Sequence, residues 1–207
     1  MSASTFLEVE DSVVFDTPFN HTFELWVRSR ESGDQDFCRK GDASANHLYL
    51  GLRGGHVAMG WQVFPREYLV TGPALARDRW THLALVVTEA PASTHSMELF
   101  VDGVSVASRS SVPDLFRSFN DVEFVCGHAD FDVDEIRVWR FPRTGPQIRV
   151  NMRSRISGSI PGMVAYWRLD GSGQIVLDYT ASGNVGILGQ LTTPDPADPT
   201  WILDGPF

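Results

Sequence analysis

The segment Asp132-Val133-Asp134-Glu135-Ile136 holds three carboxylates within four positions. Hydrolysis of a glycosidic bond needs two carboxyl groups facing one sugar bond. On an extended strand, Asp132 and Asp134 share a face and Glu135 points the other way. Asp134 then lies on the side of Ile136 and Val138, which read as core. A carboxylate there is expected to be structural, held by an arginine, backbone N–H groups or a metal. No catalytic residue is assigned. By spacing alone, neither His56 nor His82 completes a Ser-His-Asp or Cys-His arrangement.

Oxygen-rich loops are the second candidate chemistry. Calcium takes six to eight oxygen ligands from carboxylates, amides and backbone carbonyls. The best segment is Asp178-Tyr179-Thr180-Ala181-Ser182-Gly183-Asn184, with Asp178 and Asn184 as the lead ligands. Asp11, Asp16 and Asp170 stand in a second line. The competing reading is that Asp178 and Asn184 hydrogen-bond their own turn.

Sugar recognition is the third. It combines an aromatic ring with polar groups of fixed geometry. Arg53, His56, Gln62 and Tyr68 lie around the Gly54-Gly55 turn and the strand after it. Alternation places His56, Ala58, Gly60 and Gln62 on one face and Val57, Met59, Trp61 and Val63 on the other. Trp61 therefore reads as core. Ala58 and Gly60 leave a shallow outward trough between His56 and Gln62, which is the expected ligand surface. A plain solvated sheet face is the alternative.

The elements that must carry these residues are short strands. Thr22–Arg28, His47–Leu52, His56–Val63, Trp80–Val87, Met97–Val101, Val104–Ala107, Val122–Cys126, Val133–Arg140 and Met163–Leu169 all have β-type patterning. Gly54-Gly55 and Asp102-Gly103 read as tight hairpin turns, which need positive φ. One helix is expected near 145–156. Thr144 caps it, Pro146 sits in its first turn, and Ile148, Met152 and Ile156 form its apolar stripe. The tail after 190 carries Pro194, Pro196 and Pro199 and reads as a strap that packs back or leads out. Residues 1–190 then form one domain and 191–207 the strap.

In this order, five blocks resemble the laminin-G-like and pentraxin-like domains of the concanavalin A-like lectin/glucanase superfamily. They are Trp80-Thr81-His82-Leu83-Ala84-Leu85-Val86 with Leu99-Phe100-Val101-Asp102-Gly103; Phe131 to Trp139; Ile148 to Met152; Pro161 to Asp170; and Asp178 with Ser182-Gly183-Asn184 and Gly186-Ile187-Leu188. The resemblance spans roughly residues 5–190 and implies an all-β, two-sheet antiparallel jelly-roll sandwich. It implies that Trp26, Trp80, Trp139 and Trp167 mainly pack the core. The paired glutamates of the superfamily's glucanases are missing here. The function expected is a non-catalytic binding module for carbohydrate or a glycoconjugate, with calcium as a candidate aid and no organic cofactor. Alternatives are a protein-interaction or adhesion module, an enzyme with other chemistry on the same scaffold, and a self-assembling oligomer.

Composition narrows the field. The chain has 207 residues, 43% hydrophobic and 21% charged, with a net charge of −9. That acidity argues against nucleic acid as a partner. No apolar run approaches a membrane span. The first residues show no leader pattern, which leaves three expectations open: a cytoplasmic protein, non-classical export, or an excised extracellular domain. The two cysteines, Cys38 and Cys126, match no zinc spacing. They are read as two buried thiols on strands, with a disulfide as the alternative.

Overall fold

The structure is a computed structural model that describes residues 5–12, 15, 20–41, 46–63, 65–90, 94–113, 122–158 and 160–207. Its first strands are β1 (Phe6–Val9), β2 (His21–Ser29), β3 (Gln35–Gly41), β4 (Asn46–Arg53), β5 (His56–Val63) and β6 (Arg66–Ala74). Then come β7 (Thr81–Ala90), β8 (Thr94–Val101), β9 (Val104–Pro113), β10 (Phe124–Gly127) and β11 (Phe131–Trp139). Helix α1 (Gly145–Asn151) precedes β12 (Met163–Trp167), β13 (Ile175–Val176) and β14 (Gly186–Leu188). The strands form two antiparallel sheets, one in the order β13-β14-β1-β10-β3-β4-β5-β6 and the other β12-β11-β2-β7-β8-β9. This is the expected jelly-roll sandwich.

Alternation drives the packing. Leu25 and Val27 of β2, Leu83 and Leu85 of β7 and Leu99 of β8 face Leu50, Leu52, Met59 and Trp61 of the opposite sheet in one core. Side chains that alternate along each strand put every second residue into this layer, so the pairing register is strongly specified. The two predicted turns form as expected. Asp102 and Gly103 have φ of 48° and 72°, and both glycines of Gly54-Gly55 are also positive. These are the values a two-residue hairpin needs.

Three expectations are corrected. Cys38 and Cys126 are not free thiols: they form a disulfide between directly paired residues of β3 and β10. The helix ends at Asn151 and does not reach 156. Its apolar stripe continues, with Ile148, Met152 and Ile156 all buried, but side chains capture the carbonyls past its end. Arg137 binds the carbonyls of Asn151 and Ser154, Trp26 Nε1 that of Met152, and Arg168 that of Ile156. Those bonds hold the chain in an irregular path across the six-stranded sheet. The third correction is in β11. An extra residue between Asp134 and Arg137 shifts its register against β2, and Glu135 takes φ of 53°. This bulge turns both Asp134 and Glu135 away from the core, while Ile136 and Val138 stay in it.

The tail also docks. Phe6 N–H donates to the Ala197 carbonyl, and Trp201 Nε1 donates to that of Gly173. Farther on, Trp80 Nε1 donates to the Asp204 carbonyl and Phe207 packs on Trp26. Among the described residues, no helix is long and apolar enough to cross a membrane.

Candidate functional site

The trough expected between His56 and Gln62 is filled. Tyr49 on β4 lies directly opposite Gly60, and a Cβ on Gly60 would sit 2.3 Å from the Tyr49 ring. Gly60 is therefore the seat of that ring. Arg53 caps the ring's other face at 3.9 Å and bonds Asp36 at 2.8 Å. The Tyr49 hydroxyl bonds Glu67, and its pKa is raised by burial. His56 is exposed and its Nδ1 lies 3.0 Å from the Gly54 carbonyl. Gln62 pairs with His47 and Glu67 along the sheet. Tyr68 stands apart from the other three. It pairs with Trp61 and belongs to the core, with Arg109 over its ring. Arg53, His56 and Gln62 thus share the outer face, but that face is a knit of bonded side chains, and Tyr68 is on the opposite side of the sheet.

The Asp178 turn is a clasp. The Asp178 carboxylate accepts from five donors: Tyr166 N–H, Thr180 N–H and Oγ1–H, and both the backbone and side-chain amides of Asn184. Asn184 also bonds the Val164 carbonyl, and its own carbonyl accepts from Trp167 Nε1. The turn therefore locks onto β12. Among the second-line residues, Asp11 bonds Lys40 and Asp170 bonds Arg155. Asp16 lies outside the described residues.

The outer face of the six-stranded sheet is divided in two. Under α1 it is sealed. Glu24, fully buried, bonds Arg143 Nη1 at 2.5 Å and Trp139 Nε1 at 2.7 Å. Glu135 bonds Arg137 and the Tyr166 hydroxyl. Burial pushes the Glu24 carboxyl up even though Arg143 and Arg137 pull it down. His82, buried beside these arginines, is pushed down to about 3, mainly by desolvation. This network staples the helix to the sheet, and neither glutamate is open to a ligand.

Past the bulge the face opens. At this end of the sandwich, a cleft of about 300 Å³ runs between β11 and the 199–205 segment. Trp80 and Trp201 line it together with Phe131, Leu169 and the carboxylates Asp130, Asp132 and Asp134. Trp80 thus departs from the expected core role: it is only partly buried. The polar groups are of two kinds. Asp132 accepts from Arg28 Nε at 2.8 Å and Arg30 Nη2 at 2.6 Å, and Asp130 from Arg30 Nη1 at 3.1 Å. Arg28 also reaches Asp204 at 2.5 Å and lies over the Trp80 ring. Asp134 has no ion pair among the described residues. Its Oδ1 accepts only the Glu135 N–H, at 2.8 Å. Burial, with the nearby charges of Glu135 and Asp170, pushes its carboxyl up to about 7.

Aromatic faces beside a few fixed polar groups make a mixed surface suited to a small polar ligand with an apolar side. Sequence reasoning singled out Asp132 and Asp134 but set them on the core side of the strand, because nothing in the residue types announces a bulge at a non-glycine residue; it did not single out Asp130.

The family comparison agrees with this architecture. The family model described as concanavalin A-like lectin/glucanases superfamily, of laminin-G type, matches residues 2–149. The chain belongs to that family. Among solved structures, a putative carbohydrate-binding protein from Bacteroides ovatus is 21% identical with a TM-score of 0.67, covering 90% of this chain and 58% of its own. A heptameric SAP-like pentraxin from Limulus polyphemus is 12% identical with a TM-score of 0.53, covering 70% and 74%. Domains LG4-5 of the mouse laminin alpha1 chain are 15% identical with a TM-score of 0.51, covering 70% and 42%. At these identities the likeness is one of fold. No curated protein matches the chain.

Proposed function

We propose that this member of the concanavalin A-like superfamily is a non-catalytic carbohydrate-binding module that seats its ligand in the cleft between β11 and the 199–205 segment. One observation carries the reading. The cleft is an open hollow on the described surface that combines two indoles with carboxylates held in fixed geometry by arginines. Pyranose rings present apolar C–H faces to aromatic rings and hydroxyls to such groups. The similarity to a putative carbohydrate-binding protein over 90% of the chain supports it. The Cys38–Cys126 disulfide supports work in an oxidising compartment.

The test is a glycan-array screen of the wild type, Trp201→Ala and His56→Ala/Gln62→Ala, in calcium and in EDTA. Binding that Trp201→Ala weakens and the outer-face double variant leaves intact is the expected result. Loss in the double variant alone would move the site to the eight-stranded sheet. An interaction module is the second reading. It is favoured by Ile175, Leu177, Tyr179, Val185 and Leu191, which are exposed on one stretch around β13 and β14. Absence of glycan binding in every variant would favour it.

A further inference from the structure

We infer that the cleft selects a sugar carrying a free amine, with Asp134 as the group that receives the ammonium. This rests on the proposal that the cleft binds carbohydrate, and it names the class of carbohydrate.

The argument is one of charge accounting within the cleft. Arg30, the cation among its described lining residues, is already committed, and so is Arg28, which shares Asp132 with it. Arg28 is shared between Asp132 and Asp204, and Arg30 between Asp132 and Asp130. Arg28 is further fixed by its position over Trp80. A sulfated or uronic sugar entering here would meet no uncommitted guanidinium and would have to displace an existing carboxylate. The acidity continues past Asp130 into an adjoining hollow lined by Glu31, Asp34 and Asp36, with Arg39 on its wall. The whole chain carries a net charge of −9, so the surrounding field also repels anions and attracts cations.

Asp134 is the carboxylate that this arrangement leaves unmatched. Its Oδ1 takes a backbone N–H. The Oδ2 side lies toward the backbone of Gly205, where an added Cβ would stand 3.0 Å from that oxygen. No arginine pairs with it: Arg137 is bonded to Glu135, and Arg155, whose charge pulls the Asp134 carboxyl down, is bonded to Asp170. A half-buried carboxylate is stabilised by a proton or by a cation. Burial first, and then the charges of Glu135 and Asp170, push its carboxyl up against the weaker pull of Arg155. A protonated amine supplies a cation with three donors, while the sugar ring carrying it covers the indoles. N-acetylation keeps the ring and its hydroxyls but removes the charge.

The experiment is calorimetric binding of glucosamine oligomers and of their fully N-acetylated counterparts at low salt near pH 7, to the wild type, Asp134→Asn and Trp201→Ala. Charge pairs in such sites change affinity by about tenfold or more, so the wild type is expected to prefer the free amine by about that factor. Asp134→Asn should bring the ratio of the two affinities close to one, and Trp201→Ala should weaken both ligands together. Equal affinities in the wild type, with both lost in Trp201→Ala, would overturn the amine selectivity and leave the carbohydrate site standing. Failure of both ligands, alongside array hits insensitive to Trp201→Ala, would overturn the cleft and the selectivity together. A free-amine preference that survives in Asp134→Asn would place the ammonium elsewhere and overturn the role of Asp134. Binding of lysine-rich peptide but neither oligomer would make the ligand a protein.

Discussion

Replacing Asp134 with asparagine isolates the ionisation that the cleft makes costly. In the folded protein this carboxyl is raised from an ordinary 3.8 to about 7, chiefly by burial and then by the charges of Glu135 and Asp170. Between those two values the folded chain holds a proton that the unfolded chain has released. The folded state binds more protons there, so stability falls as pH rises. The contribution is fully present below about pH 4 and is lost once pH passes the folded value near 7. The shift is about three units at 1.36 kcal/mol each, so the ionised carboxylate costs about 4 kcal/mol as an upper figure. Asparagine keeps the size and an oxygen to accept the Glu135 N–H, but it does not ionise. Urea unfolding of both proteins from about pH 4 to pH 8 reads the difference directly. The variant should match the wild type at the acid end and gain about 2–4 kcal/mol over it by pH 8, with most of the gain arising between pH 5 and 7. Parallel curves over the whole range would mean that Asp134 ionises normally. The missing-partner argument would then fail.

Two further outcomes follow from the covalent and hydrogen-bonded frame. The disulfide closes a sequence separation of 88 residues; on chain-entropy grounds its removal costs about 4–5 kcal/mol. Urea unfolding with and without reductant, and of Cys38→Ser/Cys126→Ser, should show that loss, and coincident midpoints would refute it. Asp178→Ala strips one acceptor group from five donors, and should cost about 2–4 kcal/mol. EDTA should move neither the wild-type nor the variant melting temperature. A drop in the wild type alone would place calcium on the turn.

Strand periodicity made the two layers legible because a buried inner face leaves a period-two trace in the residues. The hairpin turns were legible because Asp102-Gly103 and Gly54-Gly55 have the backbone freedom that the turn requires. What failed to show in the sequence depended on cross-strand register. β3, Gln35–Gly41, is rich in polar residues and gives no clear alternation, so nothing set Cys38 opposite Cys126. Gly60 correctly marked a gap in the outer face of β5. Only the pairing of β4 with β5 could say that Tyr49 fills it. Tyr68 was assigned by proximity in sequence to Gln62, whereas the pairing of β5 with β6 sets it beside Trp61 and therefore inward. The cleft brings Arg30, Trp80, Asp134 and Trp201 together from four separate segments, and no local pattern joins them.

The bulge in β11 links the sealed and open halves of the six-stranded sheet. One extra residue sends Glu135 into the network beneath α1, where Arg137 and the Tyr166 hydroxyl receive it. A left-handed backbone at a non-glycine residue costs about 1 kcal/mol or more, and such strain persists only where surrounding bonds over-determine it. Those two bonds supply that constraint. Arg137 is bonded to Glu135 and Arg155 to Asp170, which leaves Asp134 at the cleft wall with no ion pair among the described residues. A fold optimised for stability alone would place an asparagine or a hydrophobic residue there, or turn an arginine toward it. Strained backbone and an uncompensated carboxylate therefore meet within two adjacent residues, beside an open hollow with aromatic walls. Perturbed ionisation and surrendered stability tend to coincide where a protein binds something. The sealed half also holds shifted ionisations, at Glu24 and His82, but its glutamates are matched by arginines and its surface is closed by the helix. The division of labour along one sheet face thus points to Asp134, and not to Glu24 or Glu135, as the carboxylate that meets a ligand.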